Sequence, residues 1–293
     1  MNIVFLGILD SLTEMAQGKD PISPFFCKFG IQAYNACAEA LARILMADIG
    51  GSGSVSSSFS NAWSSIINGS TYTMMATIAG VFAVVFFMAG YCRESVDLTK
   101  ISNIEANISL FIRLILSVAA VSQISRWLPV IVHAGVGVAL KINIKDITIK
   151  ESVAKELTQE LIPSPIVSIV FGLIFFILFL VCGGGLLFIG LKRLMKMIMY
   201  ACLAPVMLST ISGGHGINRS ASIWLRGFIS AAFSNVAILI ALCISAKFMD
   251  VDLLGGKATT GIFKGIVAAV KVVSVIGFVK GAESIFERLI GGN

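Results

Sequence analysis

The residue types that do chemistry are sparse here and badly spaced for it. There are two histidines, His133 and His215, and they lie far apart in the chain with no carboxylate beside either in sequence. No phosphate-binding loop, nucleophile elbow or His-Glu-x-x-His metal motif occurs. The six cysteines show no metal-binding spacing. Cys92, Cys182, Cys202 and Cys243 lie in or beside apolar runs, where cysteine acts as a small hydrophobe. Cys27 and Cys37 are the two candidates for a disulfide, with two free thiols as the alternative. The glycines of 183–190 follow no strand and fail the dinucleotide spacing. No enzyme, no cofactor and no bound metal are expected. The charges that stand out instead are those inside apolar runs: Arg113, Arg126 and Lys271. Charges at such depth face a protein interior or water, or reach back to the membrane surface.

The elements that must position those charges are apolar helices. The chain is 57% hydrophobic and 13% charged, about half the charge of an average soluble domain. Several runs approach the roughly 20 helical residues needed to cross a bilayer core. They are continuously apolar and do not alternate as barrel strands do, which selects helices. The expected class is all-α: a polytopic helical membrane protein with about five transmembrane helices. Residues 1–60 form an N-terminal amphipathic segment and linker, and residues 61–293 the transmembrane domain.

Within the first segment, residues 25–45 place Phe29, Ala33, Ala36, Ala40 and Ile44 at helical spacing. Lys28, Gln32, Glu39 and Arg43 disfavour a spanning reading and suit a helix at an interface or against a partner helix. Residues 50–58, rich in Gly and Ser, read as a flexible linker. No cleavable signal is expected, because a basic start is missing and Asp10 and Glu14 interrupt early.

The spans are expected over 71–92, 108–138, 165–191, 227–247 and 262–279. In the second, Arg113 sits near the start. Arg126 and Trp127 mark the far interface, along which 129–140 continue as a helix. Residues 141–163 form a polar extracytoplasmic loop of nearly balanced charge, with a short solvated helix over 150–161. Gly184 lies in the glycine-rich half of the third span, where small residues permit close helix contact or a bend.

A basic stretch then runs over 192–226, with Lys192, Arg193, Lys196, Arg219 and Arg226 and no acidic residue. The positive-inside rule makes it a cytoplasmic hinge. Its apolar part, 194–211, contains Pro205 and reads as re-entrant or interfacial; if it crosses, the spans number six. Lys271 in the last span is either a paired or snorkelling lysine or a pore-lining cation.

Several of these parts together resemble the TrbL-type polytopic inner-membrane subunit of type IV secretion and conjugation machines. They are the first span, the second span with Arg113 ending in Ser125-Arg126-Trp127-Leu128, the stretch Leu203-Ala204-Pro205-Val206-Met207, the loop reaching Arg219, and Trp224-Leu225-Arg226 before an apolar span. The resemblance covers roughly residues 70–290 and lies in hydropathy, a proline after the third span and a downstream tryptophan. The 141–163 loop is shorter than the extracytoplasmic domain of many members.

The resemblance implies a non-enzymatic homo-oligomer in the bacterial cytoplasmic (inner) membrane that forms or lines the path for DNA or protein. Its implied partners are the secretion ATPase, a small inner-membrane subunit and a bitopic assembly subunit. Arg113, Arg126, Trp127, Gly184, Pro205, Arg219, Trp224, Arg226 and Lys271 are the candidate pore or assembly residues. The alternative is a small-solute transporter or channel, which a break at Pro205 would suit, while the internal repeat common in such transporters is not evident in the sequence. A holin-like lytic protein is disfavoured by length and by the ordered polar loops.

Overall fold

The computed structural model describes residues 22–49, 54–95, 104–143, 147–149, 165–214, 216–249, 251 and 261–291. These are almost entirely helical, with no strand among the described residues. The helices are α1 (Ile22–Leu45), α2 (Ser54–Ile67), α3 (Ser70–Ser95), α4 (Ile104–Ala139), α5 (Pro165–Ser209), α6 (Arg219–Met249) and α7 (Gly261–Gly291). Among the described residues, four helices are long and apolar enough to cross a membrane: Ser70–Arg93, Ile108–Ala139, Gly172–Gly213 and Arg219–Met249. The helix expected over 150–161 and the loop residue His215 lie outside the described residues.

The chain divides into two compact units, each built from separated segments. The first takes Met1–Leu45, Ala139–Leu191 and Val236–Ser284. Its organising contact is α1 on the apolar half of α5. A Cβ on Gly30 would meet the Phe176 Cα at 3.2 Å, one on Gly183 would meet Cys37 at 3.0 Å, and one on Gly190 would meet the tip of Leu41 at 2.5 Å and lie 3.3 Å from Ile44. Positions 30, 37 and 44 thus face 176, 183 and 190. Both series step by seven and rise together, so the helices run parallel in a heptad register, as in coiled-coil packing. Where one helix offers a glycine, the other offers a larger group, and the backbones close up. Phe29 stacks on Phe176 at 5.3 Å, and Tyr34 meets Phe179 edge-on at 6.0 Å.

Asn35 fastens a second segment to α1. Its amide donates to the Ile149 carbonyl and accepts from the Ile149 N–H, both at 2.9 Å. Ile147 and Ile149 are buried beside it. On α5, the Cys182 thiol points at the Val272 carbonyl, and Gly185 lies against Ile276 of α7.

These contacts separate neighbouring glycines. A Cβ added at Gly184 would have nothing within 4 Å, whereas Gly183 is hard against Cys37. Gly184→Ala is expected to stabilise by about 0.5–1 kcal/mol, the helix-propensity gain. Gly183→Ala should destabilise, because Cys37 has to yield. Melting curves of the two variants in detergent check this; equal shifts would contradict the pairing of α1 with α5.

The cysteines of α1 do not pair. Cys27 and Cys37 are both free. Ten residues of one helix set them roughly 15 Å apart along the axis, and a disulfide needs its Cα atoms within about 7 Å. Cys27 and Cys182 are buried while Cys92 is exposed. A water-soluble maleimide should therefore label Cys92 in the folded protein and reach Cys27 and Cys182 only after denaturation, a difference that peptide mass spectrometry reads directly.

The second unit takes Met46–Val138, Lys192–Asn235 and Ile285–Asn293. Its core comes from helical spacing alone. α4 supplies Ile124, Leu128, Val132 and Val136; α5 supplies Met197, Ala201, Ala204 and Leu208; α6 supplies Trp224, Phe228 and Ala231. Steps of three and four keep each set on one face. Phe59 and Trp63 of α2 join them. The linker expected over 50–58 is therefore helical from Ser54 onward. Residues 50–53 lie outside the described residues. Pro129 does not divide α4, which is one helix from Ile104 to Ala139.

The basic stretch 192–226 does not form a single hinge. α5 runs on through Lys192, Arg193 and Lys196 to Ser209. A 3-10 turn over Thr210–Gly213 follows, with Gly214 and Gly216 at φ 71° and 97°, the left-handed region that only glycine enters freely. The chain then returns as α6. No glycine or proline stands between Leu191 and Ala204, so nothing local ends the helix at the charges. Arg193 and Ser209 are separated by roughly 24 Å of helix. Lys192, Arg193 and Lys196 therefore sit at the open end of a helical hairpin, and Arg219 sits by its turn.

Candidate functional site

The hairpin is closed at its turn by hydroxyls. A helix end leaves carbonyls without intrahelical partners. The Ser209 hydroxyl donates to the Val206 carbonyl at 2.6 Å and the Thr210 hydroxyl to the Met207 carbonyl at 2.7 Å. Ser117 of α4 donates to the Leu208 carbonyl at 3.1 Å. Ser212 reaches the Ala83 carbonyl of α3 at 2.8 Å, and Gly90 packs on the Gly213 carbonyl. Hydroxyls from the turn and from α4 thus pin it to its neighbours.

The open end is held by a cation. Arg193 occupies the same face of α5 as Met197, Ala201, Ala204 and Leu208, so helical register carries it into the core. It is 2% exposed. Its Nε donates to the Ala231 carbonyl at 3.2 Å and to the Ser234 hydroxyl at 3.3 Å. Its Nη2 donates to the Ala232 carbonyl at 3.4 Å and lies 3.1 Å from the Met197 sulfur. Ser230 and Asn235 are buried on either side of these contacts on α6. Gly135 of α4 closes on the same spot, since a Cβ there would come within 2.5 Å of the Ala232 carbonyl oxygen. Three helices therefore converge on the backbone at 231–232. A buried guanidinium with five fixed donors suits this role, because it can serve several carbonyls at once.

Periodicity and charge give opposite answers for Arg193. The face 197-201-204-208 extends backward to 193, so periodicity places it inside. Its charge argues for the surface, because its acceptors come from 38 to 41 residues further on and are invisible locally.

The expected site residues divide between the units. Gly184 and Lys271 belong to the first. Gly184 faces open space, and the Lys271 ammonium donates to the Val251 carbonyl, two residues past the end of α6. The other seven belong to the second. Arg113 is half-buried one turn before Ser117; Arg126, Trp127, Arg219 and Arg226 are exposed; Pro205 and Trp224 are buried. The Trp224 indole N–H donates to the Tyr200 carbonyl at 3.0 Å, and its ring stacks on Phe228. That contact ties α6 back to α5.

His133 has a carboxylate partner that sequence distance conceals. Its Nδ1 lies 2.5 Å from Asp48, 85 residues earlier, and Asp48 also accepts from the Ile49 N–H. The imidazole is exposed, so the pair contributes at most about 1 kcal/mol. Among the described residues, no three His, Cys, Asp or Glu side chains gather to hold a metal.

The arrangement can carry charge inside an apolar bundle and lock helices together. No protein-family model, no curated protein and no solved structure matches the chain.

Proposed function

We propose that this chain is a non-enzymatic, multi-pass subunit of the bacterial inner membrane, of the TrbL type, that forms or lines the translocation path of a type IV secretion machine. The observation that carries the membrane part is the outer surface of α3 and α4. In their most apolar windows only 17% of residues are buried within the chain, against 56% for α6. Val81, Val84, Val85 and Met88 on α3 and Phe111, Ile112, Ile115 and Leu116 on α4 all point outward. In water such a surface is an aggregation liability; against lipid tails or the helices of neighbouring subunits it is satisfied. The secretion part rests on the run of sequence features around Arg113, Arg126-Trp127, Pro205 and Trp224-Leu225-Arg226. On this reading α7 supplies a fifth crossing, the chain assembles as a homo-oligomer, and its partners are the secretion ATPase, a small inner-membrane subunit and a bitopic assembly subunit.

A small-solute transporter is the second reading. It is favoured by the Arg193 cluster, because a charge buried among membrane helices commonly marks a substrate path.

Purification in mild detergent separates the two. Co-elution of the secretion partners in a complex with several copies of the chain supports the first reading. So does loss of conjugal transfer or secretion on gene deletion, restored by the intact gene. A partner-free particle that moves a solute in liposomes would replace it with the second.

A further inference from the structure

We infer that the polar stripe of α1, carrying Lys28, Gln32, Glu39 and Arg43, lines a water-filled passage at the depth of the bilayer core. The inference rests on one part of the proposed role, that the charge-free residues 165–191 of α5 cross the membrane.

The heptad register sets the depth of α1. Positions 30, 37 and 44 face 176, 183 and 190 so closely that a Cβ added to the glycine of each pair would fall 3.0 to 3.3 Å from the facing residue. The paired segments are fifteen residues long, roughly 21 Å from first to last in a core about 30 Å thick. Continuing the register sets Gln32 level with 178, Glu39 with 185 and Arg43 with 189. All lie inside the apolar run. α1 therefore stands beside a spanning helix through most of its crossing, the partner-helix alternative of the two that its composition allows.

The stripe is distinct from the face that packs. At 100° per residue, Lys28, Gln32, Asn35, Glu39 and Arg43 fall within an arc of about 80°. Gly30, Cys37 and Ile44, the α5 contacts, lie on the far side of the helix. Asn35 is taken by Ile149. Glu39 and Arg43 stand 3.9 Å apart, and their side chains keep 44% and 66% of their exposure. Two partly open ionic groups and a glutamine at this depth do not face hydrocarbon, where a charge is costly and is found facing a protein interior or water instead. Water satisfies all of them. The stripe mixes both signs, so the passage it lines suits polar solutes or an extended hydrophilic chain without strong charge selection.

Depth-resolved spin labelling in liposomes tests this. Single cysteines replace Gln32, Glu39 and Arg43 on α1, and Leu180 and Val181 on the exposed side of α5, in a Cys92→Ser parent whose own signal is subtracted. Collision with a water-soluble nickel chelate should be several-fold higher at 32, 39 and 43 than at 180 and 181, where oxygen collision should dominate. Low chelate access at 32, 39 and 43, with 180 and 181 in lipid, overturns the passage and leaves the membrane role standing. High chelate access at 180 and 181 removes α5 from lipid and overturns both. The unsubstituted chain gives a second measurement that depends on no variant folding. A water-soluble carbodiimide with an amine nucleophile should modify Glu39 in liposomes, as read by peptide mass spectrometry. Glu39 left intact there would count against the passage.

Discussion

Arg193→Ala is expected to lower the stability of the folded protein by about 3–5 kcal/mol, a larger effect than any other single change proposed for this chain. Two terms add. The first is the space left by one of the largest fully buried side chains, and large-to-small core changes cost roughly 2–5 kcal/mol. The second is the loss of charged donors to the Ala231 and Ala232 carbonyls and to Ser234, each such bond being worth about 1.5–3 kcal/mol before the cost of burying the charge is subtracted. Arg193→Met fills most of the space without the donors, so it should recover part of the loss. Arg193→Lys keeps the charge but not the fork, and it should fall below methionine if the charge is costly to bury unserved. Heat-induced loss of the monodisperse peak in detergent measures the series, with a drop of roughly 10 °C for alanine. An alanine variant that melts with the parent would mean the arginine is not part of the core.

Gly135→Ala and Gly137→Ala, two residues apart on α4, should move stability in opposite directions. A methyl on Gly135 would sit 2.5 Å from the Ala232 carbonyl oxygen and 3.1 Å from its carbon. Those are backbone atoms and cannot swing aside as a side-chain tip would. The helices must separate, at a cost of about 1–3 kcal/mol for overpacking, and the Arg193 acceptors move with them. Gly137 has nothing within 4 Å of the same position, so alanine there gains about 0.5–1 kcal/mol of helix propensity. The same melting assay reads both. Shifts of the same sign would show that α4 does not approach α6 closely at 135. Because Arg193 and Gly135 act on one backbone point, the double variant Arg193→Ala, Gly135→Ala should cost less than the sum of its parts.

Much of the architecture follows from local pattern. Uninterrupted apolar runs of bilayer length leave helices as the only backbone solution that satisfies every peptide group within the segment. The core faces of α4, α5 and α6 follow from three- and four-residue steps, and the turn after Ser209 from Gly213 and Gly214. The amphipathic character of residues 25–45 also reads directly from their order.

What composition misplaces are charges, and for one reason. A charge in an apolar run costs free energy unless something meets it, and local sequence does not reveal what meets it. Lys192, Arg193 and Lys196 resemble the end of a span because no partner stands nearby in the chain. α6 folds back and supplies carbonyls, and the helix continues. His133 lacks a carboxylate until the loop before α2 brings Asp48 to it. The charges of α1 leave it either at an interface or against a partner helix, and its glycine and cysteine mesh with residues about 146 positions later on α5, which selects the second. The residues alone determined that the apolar runs are helices and which of them are long enough to cross a membrane, but not where each helix ends: α5 runs past its expected end at 191 to Ser209, and the expected linker is helical from Ser54. Only the tertiary structure decided which helices pair, in which register, and which charges go inside, because those depend on acceptors and small-residue contacts contributed from distant parts of the chain.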